Sequence, residues 1–331
     1  MKLQANHPIT QFCNYPIGNP LRANLEVIVS EVLIGPAGWA YKDWDGIVYP
    51  PGLKRAQHPA EYLAQYFDLI EINTSFYGPI RPEHARLWCQ KVGSVNPRFR
   101  FTAKLYKSFT HAPGGVVQST SAATLDPTDE DEAQVREGFD VLAEAGKLGA
   151  VLAQFPISFR NTLENRDYLE LLLRRFIEYP LAVEVRHESW DNEGIIRYFA
   201  EKGVAFCNID QPALGRSLRP TEHVTSGFAY VRLHGRNYDQ WFTHENPHDR
   251  YNYLYSEQEL ARWKTKVENI AGKAEVTFVV ANNHFEGKAA VNGLQLRHML
   301  TGEKVRAPEP LVHHYPQLKQ IIERGEFALR G

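Results

Sequence analysis

The sequence has little of what would tie it to a membrane, a secretory compartment or a nucleic-acid partner. It holds three cysteines in 331 residues, Cys13, Cys89 and Cys207, odd in number and far apart. That pattern excludes a disulfide framework, and without a C-x-x-C pair it excludes a zinc-ribbon site. It suits a reducing compartment, and a cytoplasmic location is expected. Long apolar runs are missing as well. Residues 25–35 are broken by Glu26 and Glu31 and are too short to span a bilayer core of about 30 Å, so no membrane contact is expected. The opening MKLQANHP carries no apolar run of the signal-peptide kind. Nor is there an excess of one charge. Lys and Arg number 37 against 39 Asp and Glu, a formal net charge of −2 that gives no global pull toward nucleic acid. No G-x-G-x-x-G follows the first strand candidate, which removes the usual support for dinucleotide binding.

No low-complexity linker divides the chain, so one domain is expected over 31–331. Before it, residues 1–30 carry Pro8, Pro16 and Pro20 without a clear period and read as an N-terminal extension. Hydrophobic residues make up 43% of the chain, enough for a substantial core. Eight near-continuous apolar runs read as strands: 32–39, 69–74, 98–105, 149–155, 181–187, 204–210, 228–236 and 275–283. Between them lie helical patterns at 59–67, 81–92, 129–147, 166–177, 194–202 and 257–270, with a last helix at 290–300. Apolar strands alternating with helices indicate a parallel sheet. Eight such units in about this length fit a single-domain (β/α)8 barrel of the TIM type. An open doubly wound sheet is the alternative.

The most informative run is 228–237, Phe-Ala-Tyr-Val-Arg-Leu-His-Gly-Arg-Asn. Successive side chains of a strand point to opposite faces, so Arg232, His234 and Arg236 are expected to share one face. Buried charge is unfavourable unless paired, so such a face should open into a polar pocket. In a barrel of this kind the active site lies at the C-terminal ends of the strands. Those ends supply Trp39 and Tyr41, Glu71 and Asn73, Lys104, Gln154, Glu184 and Arg186, Asp210, Arg232, His234 and Arg236, then Asn282 and His284. Glu71/Asn73, Glu184/Arg186 and Asn282/His284 keep the two-residue spacing of a shared face. Each residue also has an ordinary reading. Glu184 with Arg186 fits a structural ion pair equally well, Asp210 fits a turn cap, and His111 sits on a loop where either role is open. Trp44, Tyr49 and Trp88 read as packing.

Several ordered motifs then match a known family. Residues 35–46 (Gly-Pro-Ala-Gly-Trp-Ala-Tyr-Lys-Asp-Trp-Asp-Gly), Glu71-Ile-Asn-Thr-Ser-Phe-Tyr, Phe99-Arg-Phe-Thr-Ala-Lys and Glu184-Val-Arg-His-Glu-Ser-Trp resemble the YecE-like family, also catalogued as domain of unknown function seventy-two. So do Tyr230-Val-Arg-Leu-His-Gly-Arg, Tyr251-Asn-Tyr-Leu-Tyr-Ser and Asn282-Asn-His with Gly287. The resemblance runs from about Leu33 to Leu300. It implies a TIM-type barrel and no particular reaction.

Chemically, Lys104, Arg186, Arg232 and Arg236 would offer cationic donors to one cavity. Arg forks suit carboxylate and phosphate, which makes an anionic small molecule the expected ligand. Glu71, Lys104, Glu184 and His234 are the catalytic candidates, with His234 as a proton shuttle. Trp39, Tyr41, Asn73, Tyr77, His111, Trp241, Asn282 and His284 join the arginines as ligand-binding candidates. The expected function is an enzyme of hydrolase, lyase or isomerase type on a phosphorylated or other anionic small molecule, without a cofactor. One alternative is a divalent-metal barrel with ligands from Glu71, Glu184, Asp210, His234 and His284, although the sequence lacks a tight H-x-H spacing. Another is a non-catalytic protein that binds an anion. A glycosidase would need Glu71 and Glu184 as its carboxyl pair. Residues 237–256 exceed the usual length of a barrel connection and are rich in aromatics, so a partial lid carrying Trp241 is expected.

Overall fold

A computed structural model describes residues 30–53, 57–113, 121–238 and 249–323. Eight strands run β1 (Glu31–Pro36), β2 (Leu69–Ile72), β3 (Arg100–Lys104), β4 (Leu148–Gln154), β5 (Leu181–Glu184), β6 (Ala205–Asp210), β7 (Phe228–Leu233) and β8 (Val276–Ala281). They pair in parallel in the order β1-β8-β7-β6-β5-β4-β3-β2. The ring closes where β1 meets β2: Ala37 bridges Glu71, and the Gly38 N–H donates to the Glu71 carbonyl at 2.8 Å. Gly35 makes that closure possible, because a Cβ there would lie 1.7 Å from the Leu69 carbonyl oxygen. The eightfold alternation therefore yields a (β/α)8 barrel, and the open-sheet alternative falls away.

Helices α1 (Pro59–Leu63), α2 (Pro82–Gly93), α3 (Asp129–Glu144), α4 (Leu163–Arg175), α5 (Glu193–Lys202), α6 (Glu257–Ala271), α7 (Lys288–Thr301) and α8 (Glu309–His314) surround the strands. Local chemistry sets their ends. Thr128 and Asp131 cap α3 reciprocally, and four acidic residues in its first turn meet the positive end of the helix dipole. Ser256 and Glu259 do the same for α6. Between β6 and β7 no helix forms among the described residues, and Asn208 ties that connection down by accepting from Thr221 and from the His223 N–H.

Side-chain alternation sorts the strands into two layers. Leu33, Tyr230, Phe278 and Val280 belong to the larger core cluster that fills the barrel. On the opposite face Val231, Leu233 and Val279 pack against Leu260, Trp263 and Val267 of α6. Polar groups collect at the C-terminal end of the inner layer. Several strands stop earlier than the apolar runs suggest: β5 ends at Glu184 and β7 at Leu233, so Arg186 and His234 stand just beyond the ladder. The extension 1–30 lies outside the described residues, apart from Ser30. No helix among the described residues is long and apolar enough to cross a membrane.

Candidate active site

The floor of the barrel mouth is an ionic lattice built from three strands. Arg232 lies between two carboxylates: its Nη2 donates to Glu71 Oε1 at 2.7 Å and its Nη1 to Glu184 Oε2 at 2.5 Å, and all three side chains are 0% exposed. Tyr230, two residues earlier on the same face of β7, donates its hydroxyl to Glu71 Oε2 at 3.0 Å and stands 2.7 Å from Thr102 Oγ1. The strand ends thus bring Glu71 from β2, Glu184 from β5 and Arg232 from β7 into direct contact.

Around this floor lie Lys104 and Arg186, which keep some solvent contact, and the buried His234 and Asn282. Arg186 Nε donates to Glu184 Oε1 at 2.8 Å, and Lys104 Nζ stands 4.0 Å from Glu71 Oε1 and 5.6 Å from the centre of the Phe76 ring. His234 Nε2 lies 3.2 Å from Glu184 Oε1, and its Nδ1 is 2.9 Å from Asn282 Nδ2. With the amide nitrogen donating to Nδ1, Nε2 carries the proton and donates to Glu184. Seven of the residues singled out from sequence, Glu71, Lys104, Glu184, Arg186, Arg232, His234 and Asn282, are therefore linked side chain to side chain.

Burial and charge set the protonation states. Burial alone would raise the Glu184 carboxyl, but Arg232 and Arg186 hold it well below the usual carboxylate range. Burial pushes His234 down to about 3, so its imidazole is neutral at pH 7. Desolvation, then the Arg232 charge, brings the Lys104 ammonium down to about 8. His111 falls to about 4 through burial and the Arg186 and Lys104 charges. Two carboxylates against two guanidiniums and one ammonium leave one surplus positive charge.

A second cluster borders the first. The Tyr41 hydroxyl donates to the Ala37 carbonyl at 2.6 Å and accepts from Asn73 Nδ2 at 3.2 Å, and its ring stacks on His284 with centroids 4.1 Å apart. The Tyr251 ring also meets His284, tilted by 38° with centroids 4.9 Å apart. His111 stands edge-on to Phe76 at 4.9 Å. Tyr77 is 72% exposed and sits at the rim.

Other sequence-derived expectations need correction. Arg236 does not share the face of Arg232 and His234, because the strand ends at Leu233 and Gly235 turns the chain with φ +88°. Its Nε instead grips both oxygens of Asp210 at 3.0 Å, and its Nη1 reaches Glu259 at 3.2 Å. Asp210 pairs in register with Leu233, so it faces the helix layer rather than the pocket. The five residues nominated for a divalent metal thus do not converge, since Asp210 faces away and a guanidinium separates Glu71 from Glu184. Among the described residues no group of three or more His, Cys, Asp or Glu is placed to hold a metal. The same guanidinium occupies the space a glycosidic bond would need between the two carboxyls. Trp39 is 8% exposed and packs edge-on against Trp88 at 5.0 Å, as part of the core. Trp241, and with it residues 239–248, half of the expected lid, lies outside the described residues. Sequence reading passed over Tyr230 and Phe76; period-two spacing from Arg232 was the available signal for Tyr230.

Residues 33–314 match the family described as protein of unknown function DUF72. The UPF0759 protein YunF of Bacillus subtilis is 28% identical over 283 residues, covering 81% of this chain and 94% of its own. The crystal structure of a DUF72 family protein from Thermotoga maritima is 32% identical, with a TM-score of 0.66 over 82% of this chain and 99% of its own. A DUF72 family protein from Enterococcus faecalis, 24% identical, shares the fold with a TM-score of 0.68 over 84% of this chain and 98% of its own.

Proposed function

The chain belongs to the DUF72 family, and on that footing we propose that it is an enzyme acting on an anionic small molecule at the C-terminal mouth of the barrel. The observation that carries this reading is the layered charge of the site. A buried Glu71–Arg232–Glu184 lattice lies beneath two cations that retain contact with solvent, Lys104 and Arg186, at 11% and 15% side-chain exposure. Burying two carboxylates and a guanidinium is unfavourable by several kcal/mol per ion before pairing, and apolar residues of similar volume often serve stability as well or better. The lattice is then better explained as a positioning device than as a source of stability.

In this reading Arg232 is not the ligand's partner, because both of its terminal nitrogens are engaged by carboxylates. Arg186 takes the anion, with the surplus positive charge of the mouth behind it. Lys104, at the solvent-contacting layer, and Glu71 beneath it, 4.0 Å away, are the proton-transfer pair. His234, neutral and held between Glu184 and Asn282, orients Glu184. The flat faces of Tyr41 and His284 border the second side of the mouth.

The test is a thermal-shift and titration panel of phosphorylated and carboxylated metabolites beside their uncharged counterparts. Anionic members should bind, and Arg186→Gln should weaken the best of them by roughly ten- to a hundredfold, about 1.5–3 kcal/mol for a charge-assisted hydrogen bond. Uncharged members binding equally well would overturn the reading. Product formation by the native protein and its loss in Lys104→Met mark an enzyme; tight binding without turnover marks a carrier or sensor.

A further inference from the structure

The side chain of Lys104 differs from the other cations of the mouth in how it is held. Arg186 and Arg232 are fixed by hydrogen bonds to carboxylates at 2.5–2.8 Å. Lys104 Nζ has only the Glu71 carboxylate, at 4.0 Å, beyond hydrogen-bond reach, and the Phe76 ring below it. Among the described residues it donates no hydrogen bond. It is the last residue of β3, on the inner face with Thr102, and is nearly buried at 9% exposure. A structural lysine in that position would be expected to reach a carboxylate or a carbonyl, as Lys147 reaches the Pro97 carbonyl at the opposite end of the barrel.

We infer that Lys104 is an amine nucleophile that forms an imine with a carbonyl carbon of the anionic substrate, whose negative group rests on Arg186. This rests on the reading of the mouth as an anion site and narrows the substrate class to anionic aldehydes and ketones. Two conditions for such chemistry meet here. A lysine nucleophile must be partly unprotonated, which desolvation and neighbouring cations achieve, and both act on Lys104. Forming the imine also requires proton relay between nitrogen and oxygen, for which the Glu71 carboxylate lies close by. In the balanced step the Nζ lone pair forms a C–N bond to the carbonyl carbon. One amine proton and one proton taken up from solvent by way of Glu71 pass to the carbonyl oxygen, which leaves as water. The other amine proton stays on nitrogen, and the C–O double bond is replaced by the C=N bond of a protonated imine. No oxidant or metal enters. The protonated imine then draws electrons from an adjacent C–H or C–C bond, which favours lyase or isomerase chemistry over hydrolysis.

The probe is pyridoxal 5′-phosphate, an anionic aldehyde, with borohydride reduction and peptide mass spectrometry of the whole protein. One dominant adduct on Lys104 is expected, with labelling that rises with pH around 8 rather than above 10, and an adduct yield reduced at least fivefold in Arg186→Gln. That second variant keeps the amine and covers the case in which Lys104→Met fails to fold. Labelling spread over surface lysines, or concentrated on Lys147, whose ammonium burial also lowers, would overturn the inference. The two readings can fail separately. If titration shows Arg186-dependent binding of the probe but no adduct on Lys104, the imine is refuted and the anion site stands. If the probe does not bind and no anion does, both fall.

Discussion

Replacing Arg232 with methionine removes the positive centre of the site while keeping most of the side chain's bulk. The change withdraws the 2.7 Å partner of Glu71 and the 2.5 Å partner of Glu184, both 0% exposed. Breaking a buried pair by removing one member is destabilising by about 3–5 kcal/mol, because the remaining charge stays buried without compensation. Two carboxylates are left here, so a loss toward the upper end, about 5 kcal/mol at neutral pH, is expected. Against a typical total of roughly 5–15 kcal/mol, the variant should be marginally folded. Its pH dependence is more diagnostic than its size. In the native protein the depressed Glu184 value contributes stability that is present above the unfolded value near ~4.3 and lost only as pH falls through the folded one. Without the guanidinium, burial dominates and raises that value. The sign then inverts: stability is fullest at low pH and falls as pH rises through the folded value, by up to about 1.4 kcal/mol per pH unit. The Arg186 bond to Glu184 at 2.8 Å moderates the effect. Urea unfolding followed by circular dichroism at pH 5 and pH 8 measures it. The gap between variant and native protein should be clearly smaller at pH 5. A gap under about 1 kcal/mol at both values would refute the idea that this arginine is the buried keystone.

Three further outcomes follow from the same structure. Gly35→Ala should lose several kcal/mol in urea unfolding, since its Cβ would fall 1.7 Å from backbone at the β1–β2 closure, and backbone there cannot yield as a flexible side chain would. Asp210→Ala should destabilise by about 1–3 kcal/mol by removing both acceptors of Arg236 Nε, leaving that side chain only its bond to Glu259, yet leave anion affinity within twofold, because Asp210 faces the helix layer. His234, pushed down to about 3, is neutral when folded, so the native protein should lose stability as pH falls below ~6.5, by up to about 1.4 kcal/mol per unit from this group. His234→Gln should show a flatter thermal-unfolding midpoint between pH 7 and pH 4.5.

The barrel was readable because each strand is buried on both sides and appears as a short apolar block with a helical pattern after it. That same double burial hid the orientation of β6. In Ala-Phe-Cys-Asn-Ile-Asp both faces carry apolar residues, so nothing in the sequence says that Ile209 rather than Asp210 points inward. On β7 the period-two rule worked for Arg232 and His234. It failed for Arg236 because one glycine with positive φ reorients everything after it. Sequence spacing also placed Glu71 and Glu184 in the same mouth, but it could not show that a guanidinium lies between them. That contact joins residues 161 and 48 positions apart and turns two catalytic candidates into parts of one lattice. Tyr41, Asn73 and His284 were legible as strand-end polar residues, whereas their mutual stacking and hydrogen bonding depend on the turn geometry after β1 and β8.

The central claim is that an anion is held at the mouth between Lys104 and Arg186, above the buried lattice. A crystal equilibrated with saturating inorganic phosphate tests it most directly. The account predicts tetrahedral density within about 3 Å of an Arg186 guanidinium nitrogen and within reach of Lys104 Nζ, with the Glu71–Arg232–Glu184 contacts unchanged beneath it. Phosphate found only elsewhere on the molecule, with the mouth filled by water alone, would contradict it.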